Sequence, residues 1–228
     1  MTSPAAPPGP AGPSAADVDA FFSDRLHLED EALRAARERA RTAGLPDIAV
    51  APAHGALLAL LAQVAGARRV LEVGTLGGYS TIWLARAVGP DGRVTSLEID
   101  PHHAEVARTC VDAAGVGDRV EIVVGAALDT LPGVAGPLDL VFVDADKENN
   151  AAYVRAALEL TRPGAVVVVD NVVRGGRVAD AADDTPAVRG VREVVDLVAA
   201  DPRLDTATAV QTVDRKGWDG VLVARVTG

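Results

Sequence analysis

Five short apolar runs, RRVLEVG, GRVTSLEID, DRVEIVVG, LDLVFVDAD and AVVVVDN, follow one another between residues 68 and 171, and no other feature limits the fold so sharply. Each is rich in branched aliphatic residues and ends at Gly, Asp or Asn, the pattern of strands buried on both faces of a parallel sheet. Helical stretches separate them. Right-handed βαβ crossovers and a doubly wound, Rossmann-like, mostly parallel α/β sheet follow. Segments 204–213 and 220–226 flank DRKGWD with no helix between them, so they are predicted to pair as an antiparallel hairpin that closes a seven-stranded sheet.

Helical patterns precede the first strand. One runs over 17–25 with Asp17 as its cap; a second covers 29–42 and stops at Gly44, with Pro46 beyond. These two form an N-terminal helical cover. A third starts at Pro52, suited to a first helical position, and continues through Leu57, Leu58, Leu61 and Val64 to Gly66. Residues 186–200 read as a further helix. Residues 1–16 hold five prolines in their first thirteen positions and little to bury, so a flexible tail is expected there, leaving 17–228 as one domain. A 228-residue chain that is 49% hydrophobic has enough apolar surface for a single sizeable core.

The charge balance narrows the partners. Asp and Glu number 32 against 22 Lys and Arg, a formal charge of −10, which disfavours nucleic acid and anionic membrane surfaces. No apolar run approaches the roughly 20 residues that a membrane helix needs. The N-terminus lacks the basic and apolar regions of a secretory signal, so a cytoplasmic chain is expected. Cys110 is the one cysteine. It leaves no internal disulfide and no thiol cluster, so any metal must use carboxylate, amide or imidazole ligands.

In an open α/β sheet, ligands bind beyond the carboxyl ends of the strands. The first strand ends in Glu72, Gly74, Thr75, Leu76, Gly77, Gly78, Tyr79 and Ser80. Its glycines would let backbone approach a ligand, or serve a tight turn alone, but they lack the GxGxxG spacing of a pyrophosphate cradle. Glu98 at the end of the second strand is placed to accept hydrogen bonds from a ribose diol, and is equally compatible with a solvated strand end. A carboxylate at Glu72 would repel pyrophosphate yet suit the cationic sulfonium and amino group of S-adenosylmethionine. The fourth and fifth strands bring Asp144 or Asp146 near Asp170 and Asn171, an all-oxygen set fit for magnesium, calcium or manganese.

Taken together, LEVGTLGGYS, the acid in SLEID, VDADK and VVDN resemble the cation-dependent class I O-methyltransferases, the caffeoyl-CoA and catechol type, over residues 17–228. The resemblance implies S-adenosylmethionine and a divalent cation, probed first as magnesium. Asp144, Asp170 and Asn171 would be the metal ligands. Val50, Glu72, Gly74, Thr75 and Ser80 would line the methionine part of the cofactor, with Asp144 between cofactor and metal. Glu98 would hold the ribose, while Ile99, Ala126 and Ala127 would form the adenine pocket. Lys147 matches the general base of catechol-type members. A homodimer acting on a small phenolic substrate, a vicinal dihydroxy aromatic, is the implied assembly and activity.

Some positions depart from the pattern. Arg174, Gly175 and Gly176 stand where plant members have Trp-Asn-Gly, which puts a CoA thioester acceptor in doubt. His54 replaces a glutamate found in many relatives and is expected as a partly exposed helix-start residue. His27, His102 and His103 are expected on the surface, and Trp218 either packs or walls the acceptor site. Two other functions compete with methyl transfer: an NAD-type oxidoreductase, which the glycine spacing opposes, and a non-catalytic small-molecule-binding protein, which the intact metal set opposes.

Overall fold

A computed structural model describes residues 12–214 and 216–227. Strands β1 (Arg69–Val73), β2 (Arg93–Glu98), β3 (Val120–Val124), β4 (Leu138–Val143), β5 (Thr161–Asp170), β6 (Leu204–Asp214) and β7 (Gly217–Val226) form one sheet, ordered β3-β2-β1-β4-β5-β7-β6. The first five run parallel, and β7 pairs antiparallel with both β5 and β6. The order reverses between β1 and β4, so the crevice beyond their carboxyl ends is the switch point where such sheets take ligands.

Residue alternation along β4 splits the core. Leu140 and Phe142 face one apolar cluster, built with α3 (Pro52–Val64), α4 (Tyr79–Ala87) and α5 (Pro101–Ala113), while Val141 and Val143 face the other. That second cluster is covered by α7 (Asn150–Leu158) and α8 (Pro186–Ala200), with the short α6 (Ala127–Thr130) beside it. Every β4 side chain is buried, which explains why LDLVFV carries no polar alternation apart from Asp139. Asp139 accepts from the amides of Arg68 and Arg69 at 2.7 Å each and is bridged by Arg162, so its charge is matched.

The N-terminal cover consists of α1 (Ala15–Arg25) and α2 (Glu31–Thr42). The first helix starts earlier than the sequence suggested. Ser14 caps it, and Asp17 accepts from the Ser14 amide at 2.7 Å as the reciprocal member of a capping box. Asp17 is therefore inside the helix, and ordered structure begins before the expected boundary at 17. Residues 1–11 of the expected tail lie outside the described residues. The hairpin is also longer than expected, because its register runs to Asp214 opposite Gly217 and takes Trp218 and Asp219 into β7. Among the described residues no helix is long and apolar enough to cross a membrane.

Candidate active site

The chain leaves β1 through Gly74, whose φ of +98° is open to glycine and strained for other residues. A Cβ here would lie 2.2 Å from the Asp144 carbonyl oxygen, so the loop and the end of β4 touch backbone to backbone. Glu98 holds the loop in place. Its Oε2 accepts from the amides of Thr75 at 3.1 Å and Leu76 at 2.8 Å, and its Oε1 accepts from the Asp100 amide at 3.0 Å. The residue assigned to a ribose from the sequence thus also shapes the turn.

Glu72 requires a correction. It is fully buried behind the loop and does not line the cavity. Ser80 and Ser96 donate their hydroxyls to it at 2.6 Å each, and Thr81 donates a third hydrogen bond. Burial pushes its carboxyl up to about 7 against these hydroxyls, which favour the ionised form. Glu72 acts on the site through Ser80, which does line it.

A cavity of about 930 Å³ opens beyond the strand ends. Val50, Gly74, Thr75, Ser80, Glu98 and Ile99 line it, together with Ala126 and Ala127 where the chain leaves β3. Asp144, Lys147, Asp170 and Asn171 share the same cavity. Strand order puts the ends of β2 and β3 on one side of β1 and those of β4 and β5 on the other, separating Glu98 from the aspartates.

The Lys147 ammonium donates to Asp144 Oδ1 at 2.7 Å. Asp170, at the buried end of β5, accepts from the Asn171 amide at 2.7 Å. Burial first, and then the neighbouring charge of Asp144, push the Asp170 carboxyl up to about 8. A buried carboxyl kept from ionising by burial and a second carboxylate, in an oxygen-lined corner, is one that a hard dication would let ionise, so the donor set fits one. It is a sparse set. Among the described residues no group of three or more His, Cys, Asp and Glu gathers for a metal, leaving two carboxylates and one amide. Asp146 is committed elsewhere, accepting from Tyr153 and Asn149.

Two histidines are site residues: His54 sits at the helix start as expected but faces the cavity, and His103 leaves the surface expected for it. His54 is 13% exposed, its Nδ1 lies 3.8 Å from Asp170 Oδ2, and its Nε2 is buried without a hydrogen-bond partner. Burial holds this imidazole down at about 4, so it is neutral near pH 7. Position in the first turn of α3 aims it at the end of β5, a direction that sequence spacing within the helix does not reveal. His103 lines the cavity too, with Nδ1 3.6 Å from Glu98 Oε1, rather than lying in solvent. His102 reaches the Ala43 carbonyl at 3.0 Å. Trp218 walls the cavity, with its indole N–H donating to Gln211 at 2.9 Å.

The cover is fastened to this site by cations that no motif marked. Arg37 donates to the Val50 carbonyl at 2.7 Å and to Glu29 at 2.9 Å, with its guanidinium 4.1 Å from the centre of the Tyr79 ring. Lys216 donates to the Ala49 carbonyl at 3.1 Å.

The two raised carboxyls give a pH signature. Each prefers its neutral form in the fold, so the stability they contribute is full below about pH 4 and lost as pH rises through about 7 for Glu72 and about 8 for Asp170. Chelator-treated protein is expected to lose a few kcal/mol between pH 5 and pH 8.5, since each tenfold difference in proton affinity between folded and unfolded chain is worth about 1.4 kcal/mol. Thermal melts with and without excess magnesium read this loss, and magnesium should flatten the slope. A Glu72→Gln protein with an unchanged slope would remove Glu72 from the account.

Comparison with known proteins bears on this geometry. The sequence profile of a family described as O-methyltransferase matches residues 23–225. A catechol O-methyltransferase of Mycobacterium tuberculosis is 57% identical over 94% of this chain and 97% of its own. Among solved structures, an O-methyltransferase from Bacillus cereus in complex with SAH superposes with a TM-score of 0.91 at 46% identity, covering 93% of this chain and 98% of that one. An O-methyltransferase from Streptomyces achromogenes involved in tomaymycin synthesis, in complex with SAM, gives 0.90 at 49% identity, covering 94% and 97%.

Proposed function

Because the chain belongs to the O-methyltransferase family and is an S-adenosylmethionine-dependent enzyme, we propose that it methylates one hydroxyl of a vicinal dihydroxy aromatic with the help of a divalent cation. Family membership displaces the oxidoreductase and non-catalytic alternatives. The observation that carries the proposal is the meeting of Asp144, Asp170 and Asn171 in the cavity that also contains the glycine loop. The printed name of the Mycobacterium tuberculosis relative supports a catechol as acceptor.

When bound, S-adenosylmethionine supplies a methyl group on a cationic sulfur that departs as a neutral thioether. A dication, best tested as magnesium, would lower the proton affinity of a phenolic oxygen when held by Asp144, Asp170 and Asn171. In this reading Gly74, Thr75 and Ser80 receive the methionine part, with Val50 packed beside them. Glu98, Ile99, Ala126 and Ala127 receive the adenosine. Lys147, held by Asp144, first releases its ammonium proton to solvent; the neutral Nζ then takes the acceptor's hydroxyl proton, and positioning of the freed oxygen in line with the methyl group does the rest.

The deciding experiment is methyl transfer to vicinal diols and to monophenols, each with magnesium and with chelator. Turnover confined to diols plus magnesium is expected; equal rates in chelator would overturn the metal role. Lys147→Met should lower kcat about 10²-fold or more and abolish the acidic limb of its pH profile, while S-adenosylhomocysteine binds unchanged. Near-parental turnover at neutral pH would exclude the base role. A second copy of this chain is the expected protein partner, supported by uncharged residues 206–213 on edge strand β6. Sedimentation at micromolar concentration showing only monomer would overturn that assembly.

A further inference from the structure

Immediately past the candidate metal ligands, the chain holds an unusual cation. Val172 and Val173 are buried, and the amides of Val173 and Arg174 both donate to Asp219 Oδ1 at 3.0 Å, as does the Gly220 amide. These bonds pin Arg174 at a φ of +56°, a left-handed conformation costing a non-glycine residue about 1 kcal/mol or more. Gly175 and Gly176 continue left-handed, and a Cβ on Gly176 would come within 2.6 Å of the Trp218 ring. Asp219 of β7 thus holds the Arg174 backbone, two residues before Gly176 meets the Trp218 ring.

The Arg174 side chain lines the cavity, and its Nε is buried without an acceptor. Every other cationic side chain described on this lining has one. Lys147 has Asp144, Lys216 has the Ile48 and Ala49 carbonyls, Arg37 has Glu29 and Arg41 has Glu38. A buried N–H left unmatched costs about 1–3 kcal/mol, and a carboxylate in the cavity can meet the two terminal guanidinium nitrogens as a fork. The rest of the lining is rich in acids, including Asp144, Asp146, Glu148, Asp170, Asp214 and Asp219, so an anion finds no other unclaimed guanidinium or ammonium on the described lining.

We infer that Arg174 is a specificity-determining residue, that it receives a carboxylate on the acceptor ring, and that the preferred acceptors are therefore dihydroxy aromatic acids, with the ring against Trp218. This inference rests on the proposed methylation of vicinal diols. A neutral isostere separates the two ideas: 3,4-dihydroxybenzoate is compared with 3,4-dihydroxybenzamide, in magnesium, for the parent, Arg174→Gln and Arg174→Lys enzymes.

The parent should favour the acid in kcat/KM. Arg174→Gln should lose about 30-fold on the acid, mostly in KM, with less than about threefold change on the amide, and Arg174→Lys should recover part of the loss. Calorimetry with S-adenosylhomocysteine should give the same affinity for all three proteins. Parental turnover of the amide without preference for the acid overturns this inference and leaves diol methylation standing. Equal losses on both acceptors, or weakened S-adenosylhomocysteine binding, make Arg174 a structural or cofactor residue and also overturn it. Failure of the parent to turn over either diol, with S-adenosylhomocysteine still bound, overturns diol methylation and this inference together.

Discussion

Asp170→Ala is expected to lower kcat/KM for a vicinal diol by about 10³-fold or more while leaving the protein folded. Asp170 is the most deeply placed oxygen donor of the candidate set, and burial beside Asp144 disfavours its ionised form in the metal-free protein. Removing it takes away one of two anionic ligands, so cation affinity should fall with turnover. Manganese titration followed by paramagnetic resonance reads that loss independently of activity. Stability should hold or rise above pH 8, because the variant no longer ionises a carboxyl in a buried corner. S-adenosylhomocysteine affinity should change less than about threefold, since Asp170 lies across β1 from the proposed adenosine pocket. Full activity of Asp170→Ala in chelator would end the metal proposal.

Gly74→Ala should be nearly as damaging through a different cause. Its new methyl group would sit 2.2 Å from the Asp144 carbonyl oxygen, and its φ of +98° is unsuited to alanine. Either the loop or the end of β4 must move, and the neighbour is backbone, which has no rotamer to yield. S-adenosylhomocysteine affinity should fall about 100-fold or more, with a melting temperature several degrees lower, on the order of 3 kcal/mol of strain. Gly44→Ala is the matched control. Gly44 also has a positive φ, +80°, but a Cβ there meets nothing within 4 Å. Its cost should be about 1 kcal/mol, with cofactor binding untouched. Equal binding by both variants would show that the approach of Gly74 to Asp144 does not shape the cofactor site.

The strands were legible because burial on both faces leaves only apolar residues to choose from, as in VFV of β4 and VVVV of β5. Helix starts with proline, at Pro52 and Pro186, were legible for a local reason as well. Where a boundary depended on a partner, local reading fell short. Ser14 rather than Asp17 caps α1 because the two side chains bond reciprocally, and Trp218 joins β7 because it stands opposite Val213.

Local sequence determined that this chain forms a seven-stranded doubly wound sheet, and which strand ends carry glycine, carboxylate and amide. Periodicity and strand-end chemistry are properties of neighbours along the chain, so they survive without a structure. Tertiary structure decided what those ends do to one another. It put Glu72 behind the loop rather than in the cavity, turned Glu98 onto two loop amides, and brought His54 beside Asp170. It also left the Arg174 Nε without an acceptor. Burial, approach and the absence of a partner depend on elements far apart in sequence, and only the packed sheet brings them together.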